Sequence, residues 1–334
     1  MAADGCFPGG VAAMVPSLTD AERVRLLETM AQIRAFDLQA VAIQQGGGPG
    51  TCTTAGQEAC AAGVVAALDA RDRILTNHRS AGYLLARGAD PGRLFAEVLG
   101  RADGYCGGLS GTLHISAKEL GVVLTSTIVG GELSLAPGVA LAQKMGKGEA
   151  GGIVAVFFGD GAACEGIFHE AVNLAVRWEL PLLFVCENNQ WQAYVHRLET
   201  MADDAISSWA RGHGLPVQTV DGNDVEAVYA AASRAVAEIR ASGRPRFLEL
   251  RTYRQRGHYE PDDQAYVDPA EQKVWLERDP IRLQAARLVA AGLMDAAGVE
   301  AIERRAREQM EAAAAFGQAS PWPSPQALTE PVYA

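Results

Sequence analysis

The 334-residue chain has no apolar run near the roughly 18 residues a membrane-spanning helix needs, so no transmembrane segment is expected. It has no basic excess. Against 40 Asp and Glu it sets 29 Lys and Arg, a formal net charge of −11, which argues against nucleic acid or an anionic membrane as a partner. Its six cysteines (Cys6, Cys52, Cys60, Cys106, Cys164 and Cys186) form no CxxC pair and no metal-ligand spacing. In a chain this long they read as reduced thiols of a cytoplasmic protein. The first 15 residues lack the basic stretch of a signal peptide and read as a loose tail. There is no internal repeat. The length suits one large domain or two small ones, and a hydrophobic content of 49% allows a sizeable core.

The densest signal lies at the middle of the chain. Gly152-Ile153-Val154-Ala155-Val156-Phe157-Phe158 is a short run rich in β-branched and aromatic residues, the pattern of a buried strand. It stops at the turn Gly159-Asp160-Gly161-Ala162. Residues 165–177 place Ile167, Ala171, Leu174 and Ala175 near helical spacing. After Pro181, residues 182–186 form a second apolar strand that runs into Glu187-Asn188-Asn189. Strand, helix and strand make a parallel pair whose ends share one edge of a sheet, the edge where ligands bind. Asp160 and Asn189 are thereby brought together across 29 positions. A carboxylate and an amide oxygen are hard ligands suited to Mg²⁺ or Ca²⁺ rather than zinc. Glycines let backbone N–H groups approach a phosphate, and the following helix N-terminus favours an anion. The expected occupant is a metal-bridged diphosphate.

Singly, Gly-Asp-Gly is a common turn and Asn-Asn a common turn or helix cap. Joined by strand, helix and strand, with 26 residues between them, they resemble the thiamine-diphosphate motif. That resemblance implies that Asp160, the Asn189 side chain and the Trp191 carbonyl hold Mg²⁺. It also implies that Gly161 and Ala162 line the diphosphate.

Elsewhere the chain alternates. Thr19 and Glu22 fit a capping box ahead of a helix to about residue 45. A glycine-rich loop follows at 46–50, then helices at 57–68 and 94–99, with a strand end or loop at 75–79. Residues 104–138 are rich in Gly, Ser and Thr and read as a long loop, the kind that is often functional. A helix is expected at 137–144, a strand and turn at 215–224, a helix at 225–241 and a strand at 245–253. Residues 269–315 read as a solvated, charged helix pair. The pattern predicts an α/β fold, a doubly wound, mostly parallel sheet flanked by helices, with helical N- and C-terminal extensions. Its boundaries are a loose tail at 1–16, a diphosphate-binding domain at 17–318 and a Pro-rich extended tail at 319–334 that is free to lie on a partner subunit.

Gly56-Gln57-Glu58-Ala59, His78-Arg79-Ser80-Ala81-Gly82, Arg87-Gly88, Thr252-Tyr253-Arg254 and Gly257-His258 extend the resemblance. Together with the central motif they resemble the alpha subunit of the thiamine-dependent decarboxylase component of 2-oxo acid and acetoin dehydrogenase complexes, from about residue 20 to the C-terminus. The resemblance implies that His78 and Arg79 contact the diphosphate. It implies that the backbone at Thr127 and Val129 holds the aminopyrimidine, and that His258 is both a cofactor contact and the catalytic residue. The activating Glu would come from a separate beta subunit, giving a heterotetramer of two alpha and two beta chains. The acyl unit would pass to a lipoyl-bearing acyltransferase. Two departures bear on the small carbonyl substrate: Leu109-Ser110-Gly111-Thr112 replaces a more basic stretch, and Cys52 stands where pyruvate-type members carry a His. Mitochondrial pyruvate-type members also carry a regulatory Ser where this chain has Tyr259, so no phospho-switch is expected there. Acetoin or pyruvate is favoured. Ala81 resembles the branched-chain version, so a branched-chain 2-oxo acid stays open. Two other classes also stand: a different Mg²⁺–diphosphate enzyme such as a phosphohydrolase, and a non-catalytic paralogue that binds a partner subunit.

Overall fold

The computed structural model describes residues 17–329. Eight strands are found there: β1 Arg73–Thr76, β2 Val122–Thr125, β3 Val154–Gly159, β4 Leu182–Asn188, β5 Trp191–Gln192, β6 Val195–His196, β7 Val217–Asp221 and β8 Arg246–Arg251. Six form one sheet in the order β2-β1-β3-β4-β8-β7, and every pairing in it is parallel. β5 and β6 make a separate antiparallel ribbon just beyond the end of β4. The helices are α1 Asp20–Gln45, α2 Glu58–Ala66, α3 Ala81–Ala86, α4 Pro91–Val98, α5 Gly131–Lys144, α6 Asp160–Ala163, α7 Gly166–Trp178, α8 Ile206–Gly212, α9 Val225–Ser242, α10 Pro269–Leu276, α11 Pro280–Ala290 and α12 Ala296–Ala319.

A parallel strand covered on both faces must be apolar throughout, and β3 and β4 meet that demand. Their side chains divide with period two. Ala155, Phe157, Leu183 and Val185 join the core shared with α1, α2 and α9. Val154, Val156, Phe158, Leu182 and Phe184 join the core shared with α5, α7 and α8. The chain runs from β1 outward to β2, then returns to β3 on the other side of β1. That reversal opens a crevice between β1 and β3 at the carboxyl edge, the usual ligand position in such sheets.

Several expectations held. The Thr19–Glu22 capping box is made, with Glu22 Oε2 accepting the Thr19 N–H at 2.8 Å. Others need correction. Within 104–138, expected to be loop, lie β2 and the first turns of α5; β2 is only four residues long and is recruited by pairing with β1. α5 begins at Gly131 and runs through Pro137, which was expected to start it. The helix expected from residue 165 is preceded by a separate helical turn, α6, that begins at Asp160 itself. The C-terminal helix pair is three helices. α12 is not merely solvated, because Ile302, Ala306, Met310 and Ala314 are buried against the core, and α12 packs on α1 and α4.

The tail expected to lie on a partner begins by docking on its own chain. The Ala102 N–H donates to the Pro321 carbonyl at 2.9 Å, Ser320 Oγ donates to Asp103 at 2.7 Å, and the Arg101 guanidinium lies 3.7 Å from the Trp322 ring centre. The loose tail at 1–16 and residues 330–334 lie outside the described residues. No described helix is long and apolar enough to cross a membrane.

Candidate active site

The carboxyl ends of the strands surround a cavity of about 340 Å³. β1 delivers Asn77, His78 and Arg79 to it. The turn after β2 delivers Ser126, Ile128 and Val129, and β3 with α6 delivers Gly159 to Ala162. Asn189 and Trp191 come from the end of β4, and His258 comes from the loop after β8. Thus His78, Arg79, Val129, Asp160, Gly161, Ala162, Asn189, Trp191 and His258 share one space. Thr127 is exposed between Ser126 and Ile128, on the rim.

Asp160 caps the edge of β3 and is 2% exposed. Its Oδ1 accepts the Gly161 N–H at 2.9 Å, while its Oδ2 is buried without a partner. Burial raises its carboxyl to about 6, against the hydrogen bond from Gly161 and the attraction of Arg197 and Arg254. The two asparagines have separate roles. Asn188 Nδ2 donates to Glu249 at 2.7 Å and its carbonyl accepts from Thr252, tying β4 to β8. Asn189 faces the cavity. Its Nδ2 donates to Gln57 Oε1 at 3.0 Å and its Oδ1 accepts the Trp191 N–H at 3.1 Å, which settles which end of the amide is oxygen. The Trp191 ring is pinned by its N–H to Tyr253 at 3.2 Å.

Among the described residues no group of three His, Cys, Asp or Glu could hold a metal. What the cavity offers is a partnerless carboxylate oxygen, an amide oxygen and backbone carbonyls. That donor set fits Mg²⁺, which keeps water and phosphate oxygens in its shell.

Arg79 is buried, and its hydrogen bonds go to carbonyls rather than to a carboxylate: Nη1 to Thr53 at 2.7 Å and Nη2 to His258 at 2.9 Å. A buried cation that makes no hydrogen bond to a carboxylate favours an anion in the space before it. His258 Nδ1 stands 3.4 Å from Arg79 Nη2 and 3.5 Å from Arg254 Nη1. Guanidiniums only donate, so Nδ1 accepts and the ring proton sits on Nε2. Burial and these two cations push His258 down to about 4. Its backbone is fixed by Asp262 Oδ2, which accepts its N–H at 2.6 Å. Burial, Arg79 and His258 push His78 down to about 2, so it too is neutral.

Gly56 positions Gln57 for this arrangement. Its φ is +92°, and a Cβ there would lie 2.4 Å from the Tyr253 carbonyl. Gly56→Ala is expected to cost about 1–3 kcal/mol, seen as a lower urea midpoint. An unchanged midpoint would show that the close approach is dispensable.

The chain matches the family model described as dehydrogenase E1 component over residues 27–326. It belongs to that family. It is 37% identical over 319 residues to the alpha subunit of acetoin:2,6-dichlorophenolindophenol oxidoreductase of Bacillus subtilis, covering 95% of each chain. It is 38% identical over 275 residues to the pyruvate dehydrogenase E1 component subunit alpha of Zymomonas mobilis, covering 82% of this chain and 77% of that one. Against the somatic mitochondrial form of that subunit from Homo sapiens it is 34% identical over 284 residues, covering 83% and 70%.

This E1 chain also places in or against the cavity three residues whose roles sequence reading missed. Arg254 was noticed only as part of a motif, yet it is the second cation on His258. Gln57 holds Asn189. Glu132 lines the cavity and had one legible signal: it is the sole charged residue between Glu119 and Lys144.

Proposed function

We propose that the chain is the alpha subunit of a thiamine-diphosphate- and Mg²⁺-dependent dehydrogenase. It cleaves a C–C bond beside a carbonyl, in acetoin or pyruvate, and passes the acyl unit to a lipoyl-bearing acyltransferase. One observation carries this reading. Asp160 Oδ2 without a partner and the buried Arg79 guanidinium line the same cavity. The first asks for a cation and the second for an anion, and a magnesium diphosphate supplies both.

Asp160, the Asn189 side chain and the Trp191 carbonyl would hold the metal. Gly161, Ala162, His78 and Arg79 would hold the diphosphate, and the backbone at Thr127 and Val129 the aminopyrimidine. When bound, the cofactor supplies an electron sink for breaking the bond beside the carbonyl. His258 keeps its proton at Nε2 and donates it as a hydrogen bond to negative charge developing on the substrate oxygen. Ile128, Val129 and Tyr194 are 66%, 58% and 50% exposed around the cavity. Apolar side chains left open beside a reactive site suit coverage by a beta subunit, in a heterotetramer of two alpha and two beta chains, which would also exclude water. A cytoplasmic location accompanies this reading.

The test is reduction of dichlorophenolindophenol by the chain purified with a beta subunit, offered acetoin, pyruvate and a branched 2-oxo acid in turn. A rate with acetoin or pyruvate that vanishes without the cofactor or Mg²⁺ is expected. Tight cofactor binding with no rate on any of the three would overturn the assignment.

A further inference from the structure

Glu132 is the second residue of α5, directly after a turn in which Gly130 has φ +73°. It is 1% exposed and lines the cavity, and its Oε2 has no hydrogen-bond partner. The groups facing it are few. From α3 comes the Tyr83 ring, whose hydroxyl feels both Glu132 and, beyond it, Glu187 of β4. Glu165 lies beside the Gly130 turn, and Asp160, His78, Arg79 and His258 line the same cavity. Only its own backbone N–H favours the ionised form, while burial pushes the carboxyl up to about 8. At neutral pH this side chain is an acid with a proton to donate, in the same cavity that Asp160 and Arg79 line.

We propose that Glu132 is a binding residue that works as an uncharged acid, donating a hydrogen bond to a diphosphate oxygen of the bound cofactor. This rests on the reading of the cavity given above and adds one contact to it. The neutral carboxyl has both a donor and a reason to stay neutral, because a diphosphate dianion beside it penalises a second negative charge. An ionised Glu132 loses the donor and adds repulsion. Affinity for the cofactor therefore falls on the alkaline side, and a glutamine at this place, which donates at every pH, would abolish that fall.

The experiment is isothermal titration calorimetry on the full chain with its beta subunit, at saturating Mg²⁺. Thiamine diphosphate and inorganic pyrophosphate are titrated separately at pH 6.5 and pH 9 into wild type, Glu132→Gln and Glu132→Ala. At pH 6.5, wild type and Glu132→Gln are expected to bind alike, and Glu132→Ala roughly tenfold more weakly, the size of one good hydrogen bond. At pH 9, wild type should fall roughly tenfold behind Glu132→Gln for both ligands, an effect of lost donation and like charge together. Comparison with Glu132→Gln cancels the titration of the ligands themselves.

Parallel pH dependence of wild type and Glu132→Gln would overturn the proposal, and so would undiminished binding by Glu132→Ala. An effect confined to thiamine diphosphate would overturn the assignment to the diphosphate. If wild type binds neither ligand, the reading of the cavity itself fails. If all three proteins bind alike, only the role of Glu132 fails. Because Glu132→Gln keeps size and donor, it reports even if the alanine variant does not fold.

Discussion

Asp160→Ala should lower the affinity for Mg²⁺–thiamine diphosphate more than about 100-fold, since even the loss of a group that only orients a metal ligand typically costs 10–100-fold. Asp160 brings the cavity its partnerless carboxylate oxygen, and the amide and carbonyl oxygens beside it carry no formal charge to replace it. A thermal melt gives a direct readout. A ligand at 100 times its Kd stabilises the native state by about 2.7 kcal/mol, so wild type should melt higher with cofactor and Mg²⁺ while the variant should not respond. A full response from Asp160→Ala would refute the metal assignment.

The same substitution should not harm the metal-free fold. The carboxyl is raised from an ordinary 3.8 to about 6 in the folded chain. A raised carboxyl costs the native state nothing below pH 3.8. Its penalty grows as the pH rises from there to about 6 and is complete above. In the presence of a chelator, the variant should therefore gain on wild type at pH 8 and not at pH 4.

The second large effect is expected at His258. His258→Ala should reduce kcat by roughly 10²–10³, the loss seen when one donor to a developing oxyanion is removed. The dissociation constant of the cofactor should change little, because Asp160, Asn189 and Arg79 remain. With Nδ1 turned to Arg79 and Arg254, and the ring held down to about 4, His258 stays neutral across pH 5–8. It acts there as a fixed donor and not as a titrating acid. His258→Gln, which keeps a side-chain N–H, should retain more rate than His258→Ala. An acid limb near pH 6.5 in the wild-type kcat profile that disappears in His258→Ala would contradict this and restore a proton shuttle.

What could be read from the sequence follows the range of the interactions concerned. β3, α7 and β4 were legible because each carries its own periodicity, and a parallel connection forces Asp160 and Asn189 to one edge whatever the rest does. β2 was not, because four residues among glycines and threonines become a strand only by pairing with β1. α12 looked solvated because its charged residues outnumber its buried ones, and only contact with α1 and α4 shows which face is covered. Within the site, residue types and spacing pointed to His78, Arg79 and His258, but not to the state of the imidazole. That state depends on Arg79 meeting His258 across 179 positions, which no local pattern encodes. Glu132 was missed altogether, because only the fold turns it into the cavity.

The strand order also bears on how the chain is made. β8, the last strand of the sheet to leave the ribosome, lies between β4 and β7. Until residues 246–251 emerge, β4 presents an open edge of unpaired backbone on a strand whose seven residues are all buried in the finished protein. Such an edge is a template for pairing with another chain. A truncation between residues 189 and 246 thus leaves more than an enzyme without His258. It leaves an adhesive nascent polypeptide whose partner strand never arrives, and its fate in a cell would be decided by chaperones and proteases.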